Sequence, residues 1–323
     1  MSGRGLTPPR LVTGGALLAA LALFCLLGPP MAGDPAAIVD PPAAGLLPPL
    51  ARRAVVELRD GSTIAGDSVR RLGDQWAVVR RGEERRVAAA EVISVGVRRF
   101  WLGTDNLGRD QLARLLTGGR VSLAIGVLSL TVALLVGAAV GLAAGWRGGL
   151  LDAVLMRLAD GLLAVPLLFL LILLAALFRP SPAALIGVLG LSSWMDLARL
   201  VRGQVLSLKE REFILATRAI GASDLRIAVV HLLPNLAAPL AQGAALRLGD
   251  LILAEAALSF LGLGVQPPLA SWGAMVAHGQ EFFPAAWWLT FPAGLAVAGT
   301  VIGAALLADG VGEAARAESG PLT

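Results

Sequence analysis

Ionisable residues are sparse in this chain, and several stand inside apolar stretches, where a charge is costly and marks a candidate functional position. Arg247 and Asp250 are three residues apart, so they share a helical face and can pair. Glu255 follows them in the same segment, facing a pathway or a partner helix. Arg157 and Asp160 repeat the spacing of three, which reads as an ion pair near one end of its helix. In "LGTDNLGRD", Asp105 and Asp110 are carboxylates that a cation can join. The plainer expectation is that Thr104 or Asp105 caps a short helix ending near Gly118 and Gly119. Covalent chemistry finds little support. A phosphate-cradling loop needs Gly-x-x-x-x-Gly-Lys-Ser/Thr, but the one lysine, Lys209, follows "VLSL". No Gly-x-Ser-x-Gly occurs, His231 and His278 stand in different segments, and Cys25 is the only cysteine. No catalytic residue, no metal site and no cofactor bound by the chain is expected.

The elements that position these residues are apolar. Of 323 residues, 56% are hydrophobic and 15% charged, with a mean hydropathy of +0.74. Soluble domains carry about 25% charge. Runs of about 20 apolar residues suffice to cross a hydrocarbon core of about 30 Å. The chain therefore reads as a multi-pass membrane protein. Its sequence pI of 10.7 invites a nucleic-acid partner, yet the charge is local. Residues 52–99 hold eleven Arg against seven Asp and Glu, which equals the whole net charge of +4. Trp76 is the only aromatic there, too few to stack bases, so nucleic acid is not expected.

Residues 11–27 form the first apolar stretch, after Arg4 and Arg10. It reads as a retained span, with a cleaved signal peptide as the alternative. Residues 29–50, rich in Pro, Ala and Gly, read as an extended linker. Asp60-Gly61, Gly73-Asp74 and Gly82-Glu83 then punctuate alternating segments, predicting three to five short strands within 51–99 and a small barrel or similar β insert. Five more apolar segments follow, at 121–146, 151–178, 183–201, 236–263 and 286–308. Gly137 and Gly141 inside them permit close helix approach. Arg147, Arg202, Lys209, Arg211, Arg218, Arg226 and Arg316 fall in alternate loops, and the intervening short loops hold only Arg179. The positive-inside rule then puts both termini in the cytoplasm and the β insert outside.

The largest cytoplasmic loop, 202–235, is patterned beyond what a connector needs. "KEREFILATRAI" is helix-forming, and Gly221 can end that helix in a left-handed conformation. Ser223 or Asp224 can cap the next helix. Leu225, Ala228, Val229 and Leu232 then fall on one face, and Pro234 ends the helix where the fifth span begins.

"ATRAIGASDLRIAVVHLLPN", residues 216–235, resembles the EAA loop of permease subunits of bacterial ABC importers. "WLGTDNLGRDQLARLLTGGRVSL", "MRLADGLLAVP", "LARLVRGQVLSLKEREF" and "LAEAALSFLGLGVQPPLASWGAM" resemble, in order, segments of the dipeptide/oligopeptide/nickel (DppC/OppC-type) permeases. The resemblance covers about 101–313. It implies an all-α polytopic fold with six transmembrane helices of the ABC importer permease type, interrupted by a small extracytoplasmic β insert between helices 1 and 2. The organisation it implies is a cytoplasmic N-terminus and first helix at 1–30, a linker and β domain at 31–100, the permease domain at 101–313 and a cytoplasmic tail at 314–323. The loop would be a coupling helix gripped by a cytoplasmic ATPase, through Ala216, Gly221, Ala222, Ser223, Asp224, Leu225 and Arg226, with His231 and Pro234 behind them. Asp160, Arg247, Asp250 and Glu255 become candidate pathway residues. Asp105, Arg109, Gly262, Gly264 and Trp272 become candidates for an outer gate or a binding-protein contact, with a rigid corner as the alternative for "LGLGVQPP". The implied partners are a second homologous permease subunit, two ABC ATPase subunits that bind ATP and Mg, an extracytoplasmic solute-binding protein and the lipid bilayer of a bacterial inner membrane. The implied solute is a peptide or a nickel chelate.

The chain departs from the family pattern in places. The family's glutamate would fall at Leu215 and its second alanine at Thr217, so only Ala216 and Gly221 match the core letters. Small residues are expected at Arg247 and Asp250, and residues 51–99 match nothing in the pattern. The rival readings are a stand-alone secondary transporter, which would show internal repeats, and an intramembrane enzyme, which would bring a Ser and a His together.

Overall fold

The computed structural model describes residues 8–177 and 181–319. Arg4, Arg179 and the tail residues 320–323 lie outside them. In hydrocarbon every backbone amide must be bonded internally, which makes long apolar runs helical. Among the described residues, five helices are long and apolar enough to cross a membrane: Pro9–Leu27, Gln111–Arg147, Pro182–Leu208, Asp224–Phe260 and Trp287–Ala317. The expected span at 151–178 is instead a pair of helices bent by 90°. Pro166 stands at the break, where it has no amide hydrogen to give and disfavours helix in the residue before it. The expected six spans are reached only if this pair is one broken span.

In chain order the elements are α1 (Pro9–Leu27), α2 (Pro29–Ala32), α3 (Pro41–Ala44), β1 (Ala51–Leu58), β2 (Thr63–Gly66), β3 (Ser68–Leu72), β4 (Gln75–Arg80), β5 (Glu83–Ala88) and β6 (Val92–Phe100). Then come α4 (Gln111–Arg147), α5 (Gly149–Leu163), α6 (Leu167–Leu177), α7 (Pro182–Leu191), α8 (Trp194–Leu208), α9 (Glu212–Ala219) and α10 (Asp224–Ile227). A π-helical turn (Ala228–Leu232), α11 (Leu233–Phe260), α12 (Trp272–Gln280) and α13 (Phe291–Ser319) follow within the described residues.

The chain divides into two compact units. The first holds the described residues through Leu21, within Ser122–Gly264 and from Val297 on. In it, Gly137, Gly141 and Gly145 form a row on α4 against α8. A Cβ added at Gly141 would sit 2.5 Å from the Ala198 carbonyl oxygen, so this approach admits no side chain. α1 runs antiparallel to α13, with Leu18 and Leu21 beside Gly303 and Gly299. Arg10 closes the pair with ion pairs to Glu313 at 3.0 Å and Asp309 at 3.7 Å.

The second unit holds Ala22–Val121 and Val265–Ala296. Six strands form two antiparallel three-stranded sheets, ordered β2-β1-β6 and β3-β4-β5, rather than the three to five strands expected. The sheets share a core of Val56, Ile64, Val78 and Val87, giving a small sandwich. Gly61, Gly73 and Gly82 all take positive φ at the hairpins, where the sequence placed turns. The expected extended linker at 29–50 is instead docked. It contains two short helices, and Val39, Ala44 and Leu47 are buried against Val55, Ala65 and Phe100. Thr104 fastens it, its Oγ1 accepting from the Leu47 amide at 2.8 Å and donating to the Ala44 carbonyl. Val39, Ala44 and Leu47, apolar side chains among the Pro and Gly, make burial more favourable than a solvated linker.

Candidate functional site

The patterned loop is built onto the ends of its neighbouring helices. Val201, Val205 and Leu208 of α8 bury Ile214 of α9, Ile227 of α10, then Leu232 and Leu236. Polar fastenings surround this core. Lys209 Nζ donates to the Gly145 carbonyl at 3.2 Å, Arg202 Nη2 meets Asp152 Oδ2 at 2.6 Å, and the Arg218 guanidinium lies 4.6 Å from the Trp146 ring centre. α9 ends at Gly221, whose φ of 83° is left-handed. The Gly221 amide donates to the Arg218 carbonyl at 3.0 Å and the Ala222 amide to the Thr217 carbonyl at 3.3 Å, the two bonds of a Schellman ending. Of the two expected caps, Ser223 takes the role, accepting from the Arg226 amide at 3.4 Å.

Two expectations for this loop are overturned. Pro234 does not end the helix, which continues from Asp224 to Phe260. The preceding turn widens instead: the Leu233 amide reaches back five residues to the Ala228 carbonyl. That wider turn accommodates a proline that brings no amide and would otherwise press on the previous turn. It also changes the helical phase. Ile227 and Leu232 become the buried pair, while Leu225 and Val229 of the expected face are exposed. Ile220 is 85% and Leu225 75% exposed on the surface that also carries Ala216, Gly221, Ser223, Asp224, Arg226 and Pro234. Ala222 and His231 are half-buried behind it, His231 with its ring centre 6.3 Å from that of Phe213.

The charges within the spans are distributed differently from the sequence pairing. Arg247 Nη1 does lie 3.5 Å from Asp250, but Arg247 Nη2 also bonds Asp196 of α8. Asp160 is bonded by Arg199 of α8, not by Arg157 of its own helix. Sequence reasoning missed Asp196 and Arg199 and read Arg202 only as a basic loop residue. Their spacing of three along α8 was the available signal, although it named no partners. Glu255 is fully buried and accepts from Ser122 Oγ at 2.9 Å and Ser259 Oγ at 2.7 Å. Ser122 had no signal, being 133 residues away in the chain.

The remaining candidates fall in both units. Gly262, with φ of 79°, and Gly264 close α11 in the first. Asp105, Arg109 and Trp272 belong to the second. Asp105 is held by its own loop and by α4: it accepts from the Leu107 and Arg109 amides at 2.9 and 3.0 Å and from Arg109 Nε at 2.6 Å, with Arg114 Nε 3.7 Å away. Asp110, not Thr104 or Asp105, caps the following helix, through the Leu112 and Ala113 amides. That helix runs on past Gly118 and Gly119 to Arg147. Burial pushes the Asp110 carboxyl above its ordinary value of 3.8, opposed by those amides and by Arg98. Trp272 is buried, its Nε1 donating to the Leu115 carbonyl at 3.0 Å. His278 Nε2 lies 2.8 Å from Asn106 Oδ1. Burial holds His278 below its ordinary value of 6.5, aided by Arg109 and Arg114 and opposed by Asp105 and Glu281. Among the described residues, no three His, Cys, Asp or Glu side chains gather as metal ligands.

Residues 117–314 match the model of a family described as the binding-protein-dependent transport system inner membrane component. The chain is 41% identical over 217 residues to the oligopeptide transport system permease protein OppC of Bacillus subtilis, covering 66% of this chain and 70% of that one. It is 40% identical over 219 residues to the di/tripeptide transport system permease protein DppC of Pseudomonas aeruginosa, covering 68% and 72%. Among solved structures, an inward-facing conformation of the MetNI methionine ABC transporter aligns with a TM-score of 0.50 and 21% identity, over 63% of this chain and 95% of that one. That likeness speaks for the fold. The β-rich residues 51–100 lie outside the family match.

Proposed function

Because the chain belongs to the family of inner membrane components of binding-protein-dependent transport systems, we propose that it forms one half of the translocation pathway of an ATP-driven importer. A second homologous permease supplies the other half. Two cytoplasmic ABC ATPases bind ATP and Mg, and an extracytoplasmic binding protein delivers the solute. This chain binds no nucleotide and breaks no bond. Its solute is peptide-like or a nickel chelate, and the relatives named for oligopeptide and di/tripeptide transport favour the peptide.

The observation that carries this reading is the loop between α8 and α11. Its inner side is fixed to the spans by Ile214, Ile227 and Leu232, and its other side leaves Ile220 and Leu225 bare. Exposed apolar side chains on a rigid base suit a protein groove. ATP-driven closure of the ATPases would drag the loop and, with it, α8 and α11. Ala216, Gly221, Ala222, Ser223, Asp224, Leu225, Arg226, His231 and Pro234 shape that contact.

Sidedness follows from the basic loops and from α1 lying antiparallel to α13, which supports a retained first span and both ends in the cytoplasm. Permease residues 101–313 then carry the pathway, with Asp160, Arg247 and Asp250 as its charged candidates and Glu255 buried within the fold. Asp105, Arg109, Gly262, Gly264 and Trp272 serve the outer gate or the binding protein. The β sandwich lies outside as a further binding-protein contact.

Two experiments test the reading. Affinity purification of the full chain in mild detergent should bring down an ATPase pair, a second permease and a binding protein, and isolation of the chain alone would refute it. Gly221→Val forces a left-handed residue to carry a branched side chain, at about 1–2 kcal/mol. No neighbour lies within 4 Å of the added Cβ, so the strain stays in the turn. Uptake should fall at least fivefold while the chain still folds, and full uptake would remove the docking role.

A further inference from the structure

Five charged side chains of α5, α8 and α11 remain accessible deep inside the helical part of the first unit. We infer that the seam between α8 and α11 faces the passing solute, and that Asp250 with Asp196 receives the solute's cationic end. This rests on the permease reading above and adds to it a wall and a charge preference.

Depth is the first argument. Counted at 1.5 Å per residue, Arg247 lies about 21 Å from the Leu233 end of α11, Asp196 about 18 Å from the Leu208 end of α8 and Asp160 about 16 Å from the Gly149 end of α5. A hydrocarbon core is about 30 Å thick, so these groups are well inside it. Exposure is the second. The Asp250, Asp160 and Asp196 side chains are 63%, 57% and 48% accessible, and that of Arg199 46%. Charges so exposed are too costly to face lipid, and such residues line a wet cavity or meet a protein partner.

Continuity of the seam is the third argument, and it is independent of the charges. A groove of about 370 Å³ opens between α8 and α11, lined by Leu200 and Gln204 on one helix and by Gln242 and Leu246 on the other. On α8, Gln204, Leu200 and Asp196 succeed one another at intervals of four; on α11, Gln242, Leu246 and Asp250 do the same. Each trio follows one face of its helix. The seam therefore offers primary amides, which both donate and accept and so suit a peptide backbone, and then carboxylates.

Charge is the fourth. Arg247 is shared between Asp196 and Asp250. Arg199 is engaged by Asp160, and Arg157 is exposed one turn before Asp160 on α5. Two of these three guanidiniums, Arg157 and Arg199, thus lie toward α5, while Asp196 and Asp250 share the one of Arg247, which leaves a carboxylate in surplus on the α11 side. A protonated amine there would complete the pairing.

Cys25 is the sole cysteine and is buried, so a Cys25→Ala chain with Leu246→Cys presents one thiol in the groove. The assembled transporter, first shown to accumulate solute on ATP, is treated with a cationic (trimethylammonium) and an anionic (sulfonate) methanethiosulfonate, with and without nucleotide. The thiol should react, at least tenfold faster with the cationic reagent, and Asp250→Asn should reduce that preference at least threefold. An unreactive thiol in a transporting complex would mean that lipid or the second permease covers the seam, and would overturn the inference. Equal rates, or a preference untouched by Asp250→Asn, would overturn the charge assignment. A chain that joins no ATPase and drives no uptake would instead sink the permease reading, and this inference with it.

Discussion

The loop at 209–235 and the β insert at 51–100 look alike as sequence. Both are arginine-containing interruptions of an apolar chain, the insert punctuated by several turn glycines and the loop by one, Gly221. They differ in where their apolar side chains go. The insert closes its own core, with Val56 and Ile64 from one sheet meeting Val78 and Val87 from the other. The loop has no such core. Its Ile214, Ile227 and Leu232 pack on Val201, Val205 and Leu208 of α8, while Ile220 and Leu225 touch little. A polar segment with a complete core can persist as a passenger. One whose apolar residues are divided between a borrowed core and bare surface has its shape set by the spans and its outer face left for something else.

Paired substitutions probe that contrast. Ile227→Ala and Ile64→Ala should each cost about 2–5 kcal/mol of local stability. The first should abolish ATPase co-purification and uptake, whereas the second should expose only the insert to protease and leave the ATPase bound. Equal loss of ATPase from both would erase the distinction. Next in size, Leu225→Asp should change detergent stability by no more than about 0.5 kcal/mol yet lower the recovered ATPase several-fold, while Leu72→Asp, exposed on the insert, should not. Deleting 51–99 should keep the ATPase and weaken binding-protein affinity; unchanged affinity would make the insert a bystander. The smallest effect is a titration in the second unit. His278 sits below 6.5 when folded, so its contribution is present above 6.5 and is lost as pH falls through the folded value. Thermal unfolding should therefore shift down slightly on acidification below 6.5, and His278→Gln should flatten that step.

Local grammar was legible in the sequence. The hairpin glycines, the left-handed Gly221 and the Ser223 cap each depend on a few adjacent residues. So did the row at Gly137 and Gly141, because small residues four apart on a membrane helix leave a seam for another. What failed needed tertiary knowledge. Arg247 and Asp160 were paired within their own helices, yet each found an additional or different partner on α8, which sequence spacing cannot supply. The widened turn at Ala228–Leu232 defeated the periodic reading of 225–232, since a rule based on 3.6 residues per turn rotates every later side chain once a turn takes one more. The segment 151–178 was read as one span, but the chain turns sharply at Pro166 within it.

The unbroken run from Asp224 to Phe260 has a mechanical implication. Its 37 residues amount to a strut of roughly 55 Å. The widened turn lets Pro234 lie inside that strut without parting it. A few degrees of tilt about its midpoint would carry the tip at Leu225 and the far end near Glu255 through opposite arcs of about 2–3 Å. Buried Glu255, clasped by Ser122 and Ser259, would then register a push at Leu225 without any intervening joint.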